Sequence, residues 1–381
     1  MIDKLIRRVV WTLLVICLAS SAAADSHHPN IETSRVVTLD VAAIERHAQS
    51  GTPFELAFGE TRLNVVLTPA PVFPEEGLTI VEILEDDSTK ETVVHGNFTY
   101  AGEVLGEDPA ETEVRFTIAD GVLEGYVSGK EWWFFEPLAR FDPKAASDQY
   151  LVYAPSETAF AVDHAEGDTS HPDEVFDHPF INDGKIPMCL VADQQYLSQS
   201  DGSFQKVMQR QATVINGVNG IYKRQFGRVF RVPVVFLDTT GRLKSTDPAT
   251  LLEQLKLIAG LKRLRKYGCG MAHLTTGKNI NGEVMGRAEL PGFRSFSQQS
   301  TTLHLQNTLV AAHEIAHNFN STHGDAVQRC IPVPPTCLVY FQTLCAESVN
   351  QTTVDRFSGR NVEKMCLEMG QRGFVCQANA P

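Results

Sequence analysis

The sequence predicts a β-rich N-terminal half followed by an α/β half built on a mixed, twisted sheet with an antiparallel edge strand. Charge divides the chain: residues 25–185 hold 32 acids and 9 bases, net −23, and residues 186–381 hold 13 acids and 21 bases, net +8. Cysteine divides it at the same place, with none in 25–185 and seven beyond: Cys189, Cys269, Cys330, Cys337, Cys345, Cys366 and Cys376. Periodicity changes there too, from short β-branched runs to alternating strand and helix patterns. A chain of 381 residues, 43% hydrophobic and 21% charged, has ordinary globular composition. That excludes a disulfide-dense miniprotein, a collagen-like repeat and a wholly disordered chain. The overall net charge of −13 speaks against nucleic acid as a partner.

In chain order, residues 1–24 read as a signal peptide. Lys4, Arg7 and Arg8 precede an apolar run from Val9 to Ala19, and small residues end at Ala24. The run is shorter than the roughly 20 residues a spanning helix needs, so an exported chain without a membrane anchor is expected. Residues 25–155 then read as strands: Val36–Leu39, Leu63–Leu67, Thr92–His95, Glu113–Ile118 and the dense apolar run Trp132–Phe135. Turn pairs Asp120-Gly121 and Ser128-Gly129 separate them. Over 156–185 the pattern fades into His, Asp, Glu and Pro, the composition of a linker.

From 186 onward strand and helix alternate. Met188–Ala192 reads as a strand, and Phe204–Tyr222 as a helix with Val207, Val214, Val218 and Ile221 on one face. Val229–Leu237 reads as one buried strand and Leu251–Tyr267 as one amphipathic helix, whose Lys262–Lys266 cluster is a solvated face. Gly270–Thr275 and an edge strand over Glu283–Leu290 follow. Seven cysteines in an exported chain leave one over after pairing, or one that pairs between chains.

The chemistry concentrates in His313-Glu314-Ile315-Ala316-His317, followed by His323. The segment continues a helical pattern through Leu305, Leu309, Ala312 and Ala316. Residues four apart share a helix face, so His313 and His317 can address one ion, with Glu314 beside them as general base. His323 reaches the same ion only if the helix stops and the chain folds back. Three imidazoles leave a fourth zinc position open, as catalytic rather than structural sites do.

This segment resembles the long zinc motif of the metzincin peptidases. Asn318-Phe319 after the second histidine makes it most similar to the ADAM (adamalysin, or reprolysin) family. Ala272–Lys278, with Gly282 and Gly286-Arg287-Ala288, resembles that family's strand, loop and substrate-binding edge strand. Arg356-Phe357-Ser358 and Arg360-Asn361-Val362 resemble its last helix. Gly125-Tyr126-Val127 and Glu136–Arg140 are similar to the propeptide of the branch holding the alpha-secretase and TNF-alpha-converting sheddases. The absence of a furin-type site at the boundary, and a glycosylation sequon inside the motif at Asn320, point to a bacterial member.

The resemblance implies an α/β metzincin catalytic domain over 186–381, with an active-site helix and a C-terminal helix, behind a β-rich prodomain. It implies a secreted zinc endopeptidase made as a zymogen: zinc on His313, His317 and His323, and Glu314 as base. Gly286, Arg287, Ala288, Val339 and Tyr340 would line the site for a protein or peptide substrate. The acidic half would act as intramolecular chaperone and inhibitor. It offers no cysteine to block zinc; the linker offers His164, His171, His178 and Asp168, the last resembling an aspartate switch of other metzincins. The family's counterparts of Cys189 and Cys269 pair.

Three residues depart from the family pattern. Asn320 stands where the family has glycine, at a helix end that needs positive φ, and asparagine is the next best residue there. Gly324 intervenes between His323 and Asp325. Val339 occupies the place of the methionine beneath the zinc, while Met365 and Met369 belong to the C-terminal helix. These departures keep a second possibility open, a secreted zinc-binding interaction module whose catalysis has decayed.

Overall fold

The computed structural model describes residues 31, 34–109, 111–155, 185–299, 303–321 and 364–369. The acidic half supplies β1 (Arg35–Thr38), α1 (Val41–Ser50), β2 (Phe54–Phe58), β3 (Thr61–Pro69), β4 (Leu78–Ile83), β5 (Thr89–Val94), β6 (Thr99–Val104), β7 (Glu113–Ala119), β8 (Val122–Ser128), β9 (Trp133–Pro137) and β10 (Gln149–Tyr153). The basic half supplies β11 (Lys185–Ala192), α2 (Gln194–Ser198), α3 (Phe204–Phe226), β12 (Val229–Arg231), β13 (Val234–Asp238), α4 (Pro248–Ile258), α5 (Leu261–Lys266), β14 (Met271–Thr276), β15 (Gly286–Ala288), β16 (Arg294–Gln298) and α6 (His304–Asn318). Residues 364–369 form a further helical turn whose Met365 and Met369 are buried in the core. None of the described helices is long and apolar enough to cross a membrane. The signal peptide expected over 1–24 and the linker expected over 156–185, except Lys185 at the start of β11, lie outside the described residues.

Two eight-stranded sheets result. The first runs β1-β10-β9-β8-β7-β6-β3-β2 and is antiparallel throughout. Asp120 and Gly121, both at positive φ, make the two-residue turn between β7 and β8 that the Asp-Gly pair predicts. The second runs β15-β16-β14-β11-β13-β4-β5, with β12 against the start of β11. It is parallel from β16 to β4, and antiparallel where β15 and β5 close its ends.

The hairpin β4–β5 comes from the acidic half, yet completes the sheet of the basic half. After β3 the chain crosses over, pairs β4 with β13 through five register positions from Val234↔Thr79 to Asp238↔Ile83, and returns as β6 beside β3. The change in charge and cysteine use therefore does not mark where the sheets divide.

Side-chain alternation distributes the core. Met188, Leu190 and Ala192 of β11 face α3 and α6, whereas Cys189 and Val191 face α4 and α5. In the first sheet Tyr126, Phe134 and Tyr153 face α3 and α6, whereas Val127, Phe135 and Val152 pack on the α1 side. Helices α3 and α6 thus lie between the two sheets. Polar residues of α3 are spent on both: Gln211 Nε2 donates to Val191 O of the second sheet at 3.0 Å, and Asn216 Nδ2 donates to Phe116 O of the first at 3.1 Å. Tyr126 also donates its hydroxyl to Gly217 O at 3.1 Å.

Three sequence expectations change. Val229–Leu237 is two strands, because Pro233 has no N–H to continue a ladder; β12 pairs with the start of β11 and β13 with its end. Leu251–Tyr267 is two helices broken at Gly260, which lets both Leu264 and Leu255 face the sheet; Arg263 reaches back to cap Leu257 O and Ile258 O at 2.9 and 3.0 Å. The edge strand pairs only over Gly286–Ala288, not Glu283–Leu290. Cys189 and Cys269 are joined by a disulfide with Cα atoms 5.5 Å apart, the pair the resemblance implied, and Cys366 is also disulfide-bonded.

Where β9 meets the start of α6, Glu136 is fully buried. Burial pushes its carboxyl up to about 7 against the pull of Arg140, whose Nη1 lies 2.9 Å from Oε2. Tyr153, Glu124 and His304 complete its surroundings, and His304 is held neutral, down to about 3, by burial and then by Arg140. The folded chain therefore keeps a proton on Glu136 that the unfolded chain releases from about pH 4.5 upward. This group's contribution weakens stability progressively between about pH 4.5 and 7 and is constant above. Glu136→Gln cannot release that proton. The melting temperature of the variant minus that of the parent is expected to grow from pH 4.5 to 7 and then level off. A pH-independent difference in paired thermal melts would contradict this.

Candidate active site

Helix α6 is buried along all 15 residues, so its polar groups must be satisfied by protein. It rests on α3 at a close crossing. A side chain at Gly217 would come within 2.8 Å of Thr308, and Tyr222 donates its hydroxyl to Ala312 O at 3.0 Å.

His313 and His317, one turn apart, turn their rings to a common point. Their Nε2 atoms are 2.9 Å apart and their rings are nearly perpendicular, with centroids at 4.5 Å. Two imidazoles on one tetrahedral zinc hold their nitrogens about 3.3 Å apart, so the pair needs only a few tenths of an ångström to take an ion. His317 Nδ1 lies 2.6 Å from Ser321 O. With a proton on Nδ1 donated to that carbonyl, Nε2 keeps its lone pair for a metal.

The helix end builds this contact. Asn320 has φ 66°, the left-handed conformation its sequence position requires. Asn320 N donates to His317 O at 2.9 Å and Ser321 N to Ala316 O at 3.1 Å, the two bonds of a Schellman turn. That turn carries Ser321 O back over the His317 ring. Next to it, Asn318 Nδ2 donates to Glu289 O at 3.0 Å and Arg294 O at 2.8 Å, fastening the helix end to the segment that follows β15. The buried Glu289–Arg294 ion pair, at 2.8 Å, stiffens that segment.

Glu314 is 2% exposed, and its Oε2 has no hydrogen-bond partner among the described residues. Burial drives its carboxyl well above the usual range, and the charge of Arg287 draws it partly back. Its side chain lies across Gly286: a Cβ there would stand 2.5 Å from Glu314 Cγ and 2.6 Å from Oε1. β15 pairs only through β16 and ends the sheet, so among the described residues its other edge is open.

The structure thus brings together His313, Glu314, His317, Gly286, Arg287 and Ala288. His323, Val339 and Tyr340 lie outside the described residues, as do Asp168 and the linker histidines. Among the described residues no three potential ligands converge as a metal cluster. The pair of facing nitrogens and the orphaned carboxylate oxygen fit a metal centre awaiting a further ligand. A further buried histidine in this layered region, His273, is structural. Its ring bridges Ser295 and Ser297 of β16 at 2.8 and 2.9 Å, and burial lowers its pKa to about 3.

Sequence reasoning assigned Gly286 to substrate and missed that it makes room for Glu314. It also missed the roles of Ser321 and Asn318. Ser321 was within reach, since an αL residue at 320 places the next carbonyl over the last helical turn. No local pattern announces the partners of Asn318.

Residues 182–358, just under half of the chain, match the Reprolysin_5 model, metallo-peptidase family M12. The match supports a metzincin-type peptidase. Among solved structures the chain is similar to metalloproteinase-II from Bacteroides fragilis, at 11% identity and TM-score 0.45, over 86% of this chain and 94% of that one. It is also similar to a chain of a chaperone–substrate complex, at 7% identity and TM-score 0.40, over 83% of this chain and 44% of that one, so it spans less than half the length of that relative. Similarities this loose carry no argument about function.

The helix end yields a measurable consequence. Asn320→Gly should leave zinc affinity near parental, because glycine takes positive φ without strain. Asn320→Val should weaken it roughly 10- to 100-fold, because the turn and its hold on His317 are lost. Competition with a chromophoric chelator measures both. Parental affinity in Asn320→Val would separate the turn from the metal centre.

Proposed function

We propose that this chain is an exported, zinc-dependent endopeptidase of the ADAM-like metzincin type, made as a zymogen. The observation that carries the reading is the buried meeting of the His313 and His317 Nε2 atoms next to Glu314, whose Oε2 has no partner among the described residues. The family match over residues 182–358 supports it. The signal-like start of the sequence supports export, and the seven cysteines of the basic half suit an oxidising compartment.

His313, His317 and, from outside the described residues, His323 would hold the ion. When bound, zinc supplies Lewis acidity towards a carbonyl and acidifies water towards a pKa of about 7. Glu314 takes the proton of the attacking water and passes it to the leaving amine. The open edge of β15 receives an extended peptide by main-chain pairing, so Gly286, Arg287 and Ala288 align substrate beside the base. Because Gly286 has no Cβ, the aligned peptide and the Glu314 carboxylate share one close space. Ser321 O fixes the tautomer and orientation of His317, and Val339 and Tyr340 would wall the specificity pocket.

As a zymogen the acidic half would restrain the enzyme until the linker is cut. Its described strands cover α3 and the start of α6, and its hairpin closes the sheet end opposite β15. The sequon at Asn320 and the lack of a furin-type site favour a bacterial source.

Full-length protein nicked in the linker should cleave a peptide library, and a chelator should abolish the cleavage. Glu314→Ala should keep about one zinc per chain and lose activity roughly 100-fold or more. A Glu314→Ala protein as active as its parent would remove Glu314 from the base role. A nicked parent with bound zinc and no cleavage of any peptide would favour the decayed binding module.

Gly286→Ala tests the shared space. The added methyl must displace Glu314 by an ångström or so, and activity should fall about 10- to 100-fold with zinc content unchanged. Steady-state cleavage beside metal analysis checks this, and unimpaired cleavage would mean that Glu314 does not rest on Gly286 in the working enzyme.

A further inference from the structure

We propose that Glu136, contributed by the acidic half, is a positioning residue for the helix that carries His313, Glu314 and His317. Its carboxyl group caps that helix across the interface between the halves and holds it in place for the site. The identity of the far end of the helix rests on the peptidase reading; the cap itself does not.

Among the described residues helix α6 begins without a cap of its own. Leu303 stands at the N-cap position, makes no side-chain capping bond, and no acidic residue occupies the first turn. Leu303 is fully buried, so water does not make up the deficit. The first-turn N–H groups have no acceptor within the helix, and a buried orphan donor is costly. The N–H of His304 donates to Glu136 Oε1 at 2.7 Å, from a strand 168 residues earlier in the chain. The acceptor oxygen also lies at the positive end of the helix dipole, which it complements further when Glu136 is ionised.

Glu136 is held firmly enough to act as an anchor. The Tyr153 hydroxyl donates to the same oxygen that caps the helix, Arg140 binds the other oxygen, and Arg140 in turn pairs with Glu124. β9, which carries Glu136, lies between β8 and β10. The helix is therefore fixed at three points. Glu136 holds its start, Tyr222 of α3 holds its middle through Ala312 O, and the Glu289–Arg294 segment holds its end through Asn318. Only the first anchor comes from outside the basic half. His313 lies about 14 Å along the axis from the cap, so a tilt at the start of α6 is carried to the histidine pair. Docking of the acidic half thereby helps to assemble the site.

The test uses full-length parent, Glu136→Ala, Glu136→Gln and Tyr153→Phe. Native-state hydrogen exchange is read at the amides of 304–309 and, as a reference, of β7, and zinc affinity is measured by chelator competition. Glu136→Ala should speed exchange in the first turn of α6 roughly five- to tenfold and weaken zinc binding several-fold, with β7 at parental rates. Glu136→Gln keeps an acceptor oxygen and should stay within about twofold of the parent in both readings. Tyr153→Phe disturbs the same network without removing the cap and should leave the helix amides near parental.

Parental exchange in the Ala variant overturns the proposal. So does equal damage by Gln and Ala, or by Tyr153→Phe and Ala, or an equal rise at β7, which would mark general loosening. Exchange needs no catalysis. A parent that cleaves nothing would sink the peptidase reading and leave the cap standing.

Discussion

Helix α6 is enclosed on every side, and a helix in that position cannot leave its polar groups to water. Each must find a partner in the protein or remain as a deliberate vacancy. His304 N is taken by Glu136, Ala312 O by Tyr222, His317 Nδ1 by Ser321 O, and the Asn318 amide by two carbonyls. These bonds tie α6 to the first sheet, to α3 and to the segment after β15. Among the described residues Glu314 Oε2, like Gln306 Oε1 on the same helix, is a buried oxygen with no bond, and it lies at the place where chemistry is expected. The satisfied groups hold the helix still, while the Glu314 side chain lies across Gly286 of the edge strand.

The opposite net charges of the two halves contribute less to their union than their size suggests. Across the hairpin, Arg242 pairs with an Asp87 side chain that is 76% exposed, and Lys266 pairs with Glu91 at 58% and 44% exposure. Pairs so open to solvent are worth between nothing and about 1 kcal/mol each. The union rests instead on the main-chain ladder between β4 and β13 and on a continuous apolar core. That core joins Tyr126, Phe134 and Tyr153 to Val214, Val218 and Leu305. Charge complementarity serves approach and orientation, while strand pairing and burial serve retention.

Much of the local structure was legible. Runs such as Glu113–Ile118 and Met188–Ala192 became strands, and the spacing of Val207, Val214, Val218 and Ile221 became one face of α3. Short polar-looking elements were missed: α1, announced only by its Asp40 cap, and strands such as β6 and β16, whose apolar positions are too few to show a period. Long apolar runs were read as single elements across Pro233 and Gly260, where the backbone changes direction although hydrophobicity does not.

The sequence by itself determined what depends on neighbours within one or two turns. The i, i+4 spacing put His313 and His317 on one face, and Asn320 made the left-handed turn that returns the chain over His317. Tertiary structure alone decided what depends on contact between distant segments. It sent the β4–β5 hairpin to the other sheet, placed Gly286 under Glu314, and brought Glu136 to the start of α6. Periodicity states which side of an element is apolar, and a residue's chemistry states what partner it needs. Neither names the partner. Which strand edge, carboxylate or bare glycine arrives is settled by how the layers close around the buried helices, and no pattern in any one segment records it.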